Sequence, residues 1–157
     1  MLSSALSRRL RSSPLLSGPG GHTTAFYVTF FMATGVHLPF WPLWLEHWGL
    51  TASEVGLFTA LGVGARVVAG IAIPTMADRL DARRNAVVVG ALLGALIFVA
   101  HLWIRDKTLL LLATLGAGAM MAGISPIGEA LGVAAARTFG FSYAPTRGFG
   151  SVSAIPA

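Results

Sequence analysis

Apolar residues along the 157-residue chain fall into four long runs, separated by short charged or turn-forming pieces. A helix rises about 1.5 Å per residue, so about 20 apolar residues cross a hydrocarbon core of roughly 30 Å. Each run has about that length or more, and the runs lack the polar face that helices of a soluble core show. The pattern therefore predicts four transmembrane helices, at residues 25–45, 55–77, 86–104 and 108–136.

The second and third runs are joined by the charged turn A-D-R-L-D-A-R-R, from Ala77 to Arg84. Such a turn must lie in water, and arginines in short loops favour the cytoplasmic side. With this turn inside, the inner side receives Arg8, Arg9, Arg11, Arg79, Arg83, Arg84, Arg137 and Arg147, and the outer side only Arg105 and Lys107. This bias predicts a multi-pass protein of the cell inner (plasma) membrane with its N-terminus in the cytoplasm.

The tryptophans support the same orientation. All four lie where the predicted spans reach the outer side, at Trp41, Trp44, Trp48 and Trp103. Tryptophan is enriched at membrane interfaces, because its ring is apolar and its N–H is polar. Pro39 and Pro42 lie at the same end of the first span and predict a kink there.

Composition strengthens the membrane interpretation. Hydrophobic residues make up 55% of the chain and charged residues 11%, whereas a soluble domain carries about 25% charge. Mean hydropathy is +0.74 and the isoelectric point is near 11.1, but the basic residues lie at span ends rather than on one helix face. We therefore predict an all-α membrane protein whose environment is the lipid bilayer, and no nucleic-acid partner. The chain has no cysteine, which excludes disulfides and thiolate sites.

Small residues recur four apart within three of the spans. The pairs are Ala60 with Gly64, Gly90 with Gly94, and Gly128 with Gly132. Such pairs let helix backbones approach closely. Together they predict helices packed on one another rather than single lipid-facing spans.

The two ends of the chain differ from the spans. Residues 1–24 are rich in arginine and serine, and we expect a disordered cytoplasmic tail; a mitochondrial transit peptide or a misplaced start codon are the alternatives. Residues 137–157 are expected to form a cytoplasmic linker and the truncated start of a fifth helix.

Two charged residues lie well inside the predicted spans. A charge at the bilayer centre costs about 2.5–3.5 kcal/mol on insertion scales, so Arg66 needs a partner or a polar cavity. Its role is structural if it pairs with another helix or extends to the membrane surface, and functional if it binds an anionic group or neighbours a proton-titrating acid. Glu129 is either a structurally neutralised acid or a proton-titrating group in a carrier. Our hypothesis is that Arg66 and Glu129 face one polar cavity.

The remaining candidates are weaker. Asp78 lies at the carboxyl end of its helix, where the helix dipole disfavours an acid, so Arg79, Arg83, Arg84 or another helix must compensate. His37 and His101 either line a pathway or donate a hydrogen bond. The histidine spacing predicts no metal site, and the chain contains no phosphate loop, nucleophile elbow or carboxylate pair. Neither an enzyme nor a bound cofactor is expected.

The segment P-T-M-A-D-R-L-D-A-R-R resembles the inner-loop motif between the second and third helices of the major facilitator superfamily. That motif is glycine, three residues, Asp-Arg, one residue, glycine and a basic pair. The segment departs from it at three positions, namely Pro74, Asp81 and Ala82. The resemblance implies a gating motif of Asp78, Arg79, Arg83 and Arg84, in which Asp78 takes part in a latch against the second half of a carrier.

Four further segments resemble the phenylpropionate-permease-like branch of this superfamily: A-T-G-V-H-L-P-F-W-P-L-W-L-E, G-L-T-A-S-E-V-G-L, S-P-I-G-E-A-L and F-S-Y-A-P-T-R-G-F-G-S-V. In that branch the fourth helix carries a proline followed by an acid, matched by Pro126 and Glu129. The fifth begins with residues matched by Tyr143, Arg147, Gly150 and Ser151, although Pro145 stands where a basic residue is usual. The resemblance covers about the first third of a twelve-helix carrier.

The resemblance implies alternating access by two six-helix halves around a midplane site. The first hypothesis is therefore a truncated proton-coupled symporter of a small organic solute, such as an aromatic acid, with the missing C-terminal helices or self-association completing it. The second hypothesis is a small four-helix membrane protein that acts by assembly or partner interaction, without transport.

Overall fold

A computed structural model of the chain describes residues 18–153, and every regular element in that range is an α-helix. The helices are α1 (Gly18–His47), α2 (Ala52–Arg79), α3 (Arg83–Ala100), α4 (Lys107–Phe139) and α5 (Tyr143–Ser153). The first four are long and apolar enough to cross a membrane. The prediction of an all-α membrane protein with four transmembrane helices is confirmed.

The first helix begins earlier than the predicted span. α1 starts at Gly18 rather than Ala25, so residues 18–24 of the expected tail are helical. Proline is compatible with a first helical turn, because the first amides of a helix have no acceptor within it. The hydroxyls of Thr23 and Thr24 donate to carbonyl oxygens one turn earlier, at 3.0 and 2.9 Å. The rest of the expected tail, residues 1–17, lies outside the described residues.

The later helix ends also differ from the prediction. α3 ends at Ala100, α4 continues to Phe139 and α5 starts at Tyr143. The expected linker after residue 136 is therefore reduced to residues 140–142. Gly140 ends α4 with a φ of +68°, and its amide donates to the carbonyl of Ala136 at 3.0 Å. A left-handed glycine commonly terminates a helix in this way.

The amino-terminal ends of two helices, α2 and α4, are capped by side chains. The amide of Glu54 donates to Thr51 Oγ1 at 3.3 Å, and the amide of Thr51 donates to Glu54 Oε2 at 2.7 Å. This capping box makes Thr51 the N-cap of α2. Before α4, the amide of Leu109 donates to Asp106 Oδ1 at 2.9 Å. Both caps satisfy amides that the helix itself leaves without acceptors.

The chain divides into two compact units. The described part of one consists of residues 18–43 and 132–153, and the other consists of residues 44–131. The 44–131 unit holds the candidate residues Arg66, Asp78, His101 and Glu129. His37 belongs to the first unit.

Within the 44–131 unit, glycines bring α3 and α4 together. A Cβ placed on Gly90 would lie 3.0 Å from Ile124 Cγ1, and one on Gly94 would lie 3.5 Å from Met120 Cβ. The pair predicted in the third span is therefore confirmed as a site of close helix packing. By contrast, a Cβ on Gly64 of α2 would have no atom within 4 Å, so this member of the second-span pair is not used for packing inside the unit.

Within the other unit, two tyrosines join α1 to α5. The hydroxyls of Tyr27 and Tyr143 lie 2.7 Å apart, and Tyr27 is buried. Gly132 of α4 makes room for them, because a Cβ there would lie 3.2 Å from the ring of Tyr143 and 3.4 Å from the hydroxyl of Tyr27. Thr146 is buried in the same unit. Glycine at this position lets both rings reach the backbone of α4.

The inner turn between α2 and α3 is shorter than predicted, since only residues 80–82 are non-helical. Asp81 has a φ of 49°, in the left-handed region that non-glycine residues seldom adopt. Asp81 is also the residue that stands where the superfamily motif has its second glycine. The backbone conformation thus gives a physical reason for a glycine in that motif.

Candidate functional site

The side chain of Arg66 lies against α4 and is half-buried. A Cβ placed on Gly118 would be 3.1 Å from Arg66 Nε and 3.4 Å from Arg66 Cγ. One turn further along α2, a Cβ on Gly70 would be 3.8 Å from the carbonyl oxygen of Ala122. The two helices are therefore close enough for Arg66 to cross the face of α4 at Gly118.

Glu129 lies on the same face of α4 as Gly118 and is also half-buried. Eleven residues separate the two positions along a continuous helix. At 3.6 residues per turn this is about three turns, which brings Glu129 back to nearly the same direction about 16 Å further along the axis. The fold thus brings a cation and an acid to one side of α4 at different depths.

The two candidate histidines have different surroundings. His101 follows α3 and is 2% exposed, and its Nδ1 donates to the carbonyl oxygen of Ile97 at 2.6 Å. Its ring also packs edge-on against Trp44, with centroids 5.9 Å apart. Two roles were considered for His101, lining a pathway and donating a hydrogen bond, and the hydrogen bond is present in the structure. In the other unit, the ring of His37 packs against that of Trp41, with centroids 4.7 Å apart and the ring planes tilted by 47°.

The inner loop contains an ion pair. Arg83 Nε lies 2.5 Å from Asp78 Oδ1, and both side chains are about half exposed, at 50% and 51%. Asp78 is in the last turn of α2, and Arg83 is the first residue of α3. An acid at a helix C-terminus and a cation at a helix N-terminus each interact unfavourably with the dipole of that helix. Pairing them offsets both penalties. The compensation predicted for Asp78 thus comes from Arg83, one of the three arginines considered in the sequence analysis.

The same ion pair acts on the arginine. Hydrogen bonding and charge attraction from Asp78 raise the pKa of Arg83 above its already high value. The side chains of Arg79 and Arg84, the other two residues of the predicted gating motif, are exposed beside the pair. The motif therefore presents a surface with net positive charge at the inner end of α2 and α3.

Sequence reasoning did not identify an ion pair between the amino-terminal ends of α2 and α4. Lys107 Nζ donates to Glu54 Oε1 at 2.6 Å and connects the start of α4 to the start of α2. Glu54 precedes the apolar span 55–77. The hydrogen bond from Lys107, followed by that from the Thr51 amide, lowers the pKa of Glu54 to about 2. The apolar pattern of the sequence does not show that Glu54 has a partner 53 residues further along the chain.

Arg105 adds a second contact at this end. Its guanidinium carbon lies 4.7 Å from the ring centroid of Trp48, a cation–π distance. Trp48 in turn packs against Trp44, with centroids 5.4 Å apart. Arg105 and Lys107 therefore contact Trp48, between α1 and α2, and Glu54, in the first turn of α2. Part of the predicted aromatic belt is thus a packed cluster.

In the described part of the chain, no three His, Asp or Glu side chains are grouped so that they could hold a metal ion. The polar groups brought together are instead Arg66 and Glu129 along α4, the Asp78–Arg83 pair and the Glu54–Lys107 pair. Charged side chains within or beside apolar spans are often found where membrane proteins bind ions or solutes.

Comparison with known proteins agrees with these features. The MFS_1 like family matches residues 22–156. A protein of Escherichia coli (strain K12) named "Probable 3-phenylpropionic acid transporter" is 30% identical over 129 residues, which cover 82% of this chain. The match covers 34% of that protein, so the chain spans about a third of its length. No solved structure matches the chain significantly.

The family match extends from the first turns of α1 through α5 and so takes in most of the chain. The resemblance to the major facilitator superfamily and its phenylpropionate-permease-like branch, inferred from the inner-loop motif and the four further segments, is confirmed by these two matches. The chain belongs to the MFS_1 like family.

Proposed function

We propose that the protein takes part in proton-coupled secondary transport of a small organic anion, such as an aromatic acid, across the inner membrane. One observation carries the proposal: Arg66 and Glu129 share one face of α4 within the apolar region. A half-buried cation attracts the carboxylate of a solute, and a separate acid can bind and release a proton. Two such groups on one helix face would allow binding of the solute and binding of the proton to influence each other.

The name of the Escherichia coli relative supports the substrate class. That protein is named for 3-phenylpropionic acid, a carboxylic acid with an aromatic ring. A guanidinium binds a carboxylate well, because its N–H groups match the two oxygens. Arg66 is thus our candidate for the solute carboxylate and Glu129 for the proton. His37 and His101 remain candidates for the lining of the pathway.

The chain spans about a third of its relative, so the proposed partners include further helices as well as solute, proton and lipid. In a major facilitator carrier two halves move around a midplane site. Further helices, or a second copy of the chain, would supply the opposite wall of the site. The inner-loop charges would face the cytoplasm, where their interactions change as the halves move.

Uptake by proteoliposomes tests the proposal. We expect vesicles containing the protein to accumulate 3-phenylpropionate when the outside is made acidic, and to lose this accumulation with a protonophore. Glu129→Gln should abolish the response to the proton gradient, and Arg66→Gln should raise KM. Glu46→Gln, which removes an exposed acid at the outer end of α1, is the control and should change neither. Absence of both uptake and saturable binding of the solute would refute the proposal.

The alternative function is a small membrane protein that acts by assembly, and one observation favours it. Gly56, Ala60 and Gly64 form an exposed line along α2, and a Cβ on either glycine would have no atom within 4 Å. Small residues on an open helix face permit close helix contacts. Crosslinked oligomers without uptake or solute binding would favour this alternative.

A further inference from the structure

The side chain of Arg66 runs through a notch in α4 that exists because residue 118 is glycine. A Cβ on Gly118 would lie 3.1 Å from Arg66 Nε, 3.4 Å from Cγ and 3.8 Å from Cδ. Three successive atoms of the arginine thus lie over a single backbone position, which is itself buried. The three atoms nearest to a Cβ at this position all belong to Arg66.

A side chain at position 118 would therefore move the arginine. Carbon atoms in contact prefer a separation of about 3.5–4.0 Å, so a methyl group 3.1 Å from Nε must push it away. Arginine has several rotatable bonds and can respond without moving α2. The contact of the two helices depends instead on positions further along, where Gly70 approaches Ala122 and Gly123 approaches Ile73.

We infer that Gly118 is a positioning residue for Arg66. Its missing side chain sets the depth and direction of the guanidinium on the face of α4 that carries Glu129. The inference rests on the proposed function, in which Arg66 contacts the carboxylate of the solute. A larger residue at position 118 displaces the guanidinium. The size of residue 118 therefore determines which anions can form well-aligned hydrogen bonds with the guanidinium of Arg66.

Gly116 provides a matched control two residues away. A Cβ on Gly116 would lie 3.2 Å from Ile97 Cδ1 of α3, nearly the same distance as at Gly118. Gly116→Ala thus introduces the same methyl group into an equally tight contact on α4, but against an aliphatic side chain. Effects shared by both variants report helix packing, whereas effects confined to Gly118→Ala report the arginine.

The first arm of the test observes the arginine directly. The chain is labelled with ¹⁵N-arginine in lipid nanodiscs, and the Nε–H signal of Arg66 is assigned by its loss in Arg66→Lys. Gly118→Ala should shift this signal, and Gly116→Ala should leave it in place. An unshifted Arg66 signal in Gly118→Ala overturns the inference, whatever the protein transports.

The second arm measures binding of 3-phenylpropionate. Gly118→Ala should weaken it about tenfold, since displaced binding groups lose much of their contribution. In the Arg66→Lys background, which lacks Nε, the same substitution should have little further effect. An equal loss in both backgrounds would mean that Gly118 acts on packing alone and would overturn the inference. If the unmodified protein binds no organic anion, the proposed function fails, while the Nε–H signal still decides whether Gly118 positions Arg66.

Discussion

At the scale of single residues, the left-handed turn residue and the outer ion pair have the clearest physical consequences. Asp81 adopts a φ of 49° in the turn between α2 and α3. Glu54 accepts hydrogen bonds from Lys107 and from the Thr51 amide. Both residues lie outside the apolar spans, so their backbone strain and their titration can be treated as for groups in water.

The first prediction concerns Asp81. Asp81→Gly and Asp81→Ala remove the same charge, but only glycine adopts a positive φ without strain. We expect the glycine variant to have a free energy of unfolding about 1 kcal/mol above that of the alanine variant. Denaturant titration in detergent measures the difference. Equal stabilities would show that the positive φ does not strain this turn.

The second prediction concerns the pH dependence of the outer pair. The pKa of Glu54 falls from 4.5 to about 2 in the folded protein. The sign follows from linkage: a lowered folded pKa stabilises the fold above pH 4.5, and this stabilisation is lost as the pH falls from there through about 2. In Lys107→Met, a carboxyl titration by NMR should give a pKa nearer 4.5. Arg105→Gln, which removes the neighbouring cation over Trp48, should leave the Glu54 titration near 2.

At the scale of helices, the apolar runs were sufficient to predict four spans. They did not predict where each helix ends or which helices pack against each other. The beginning of α1 at Gly18 and of α5 at Tyr143 falls in polar or glycine-rich sequence, where local hydrogen bonds and a left-handed glycine decide the boundary. Likewise, the small-residue pairs predicted close packing, but only the structure distinguishes the packed Gly90 and Gly94 from the open Gly64.

The candidate site shows the same division between local and long-range information. Arg66 and Glu129 were recognisable as charges inside apolar runs. Their common face on α4 depends on the packing of α2 against Gly118, a contact between residues 52 positions apart. The ion pair of Glu54 with Lys107 was not predicted for the same reason. Sequence periodicity describes a helix, but it does not say which helix lies beside it.

The third prediction tests helix packing. A Cβ on Gly123 of α4 would lie 2.5 Å from Ile73 Cδ1 and 2.9 Å from its Cβ, closer than real contacts allow. Gly123→Ala should therefore lower the free energy of unfolding by about 1–3 kcal/mol, as overpacked cores do. Gly64→Ala adds the same methyl group in open space on α2 and should not destabilise the helix. A comparable loss in both variants would contradict the packing.

At the scale of the whole molecule, the distribution of basic residues implies a definite orientation. The turn between α2 and α3 carries Arg83 and its ion pair, and should face the cytoplasm. The start of α2 should then lie outside. Because the chain contains no cysteine, single introduced cysteines can report each side without background.

The fourth prediction is the result of that labelling. Leu80→Cys, at a position 70% exposed in the inner turn, should react with a membrane-impermeant maleimide only after the inner membrane of the cells is opened. Ser53→Cys, at an exposed position at the start of α2, should react in intact cells. The opposite result would place the inner-loop motif outside and would be incompatible with the proposed transport.

The tyrosine contact has one further consequence. Tyr27 and Tyr143 are the only two tyrosines of the chain, and their hydroxyls are hydrogen-bonded to each other across α1 and α5. Fluorine-labelled tyrosine would therefore give a spectrum of just two resonances, both from this junction. Any separation of α1 from α5 would therefore be visible by ¹⁹F spectroscopy in the natural sequence, without an engineered probe site.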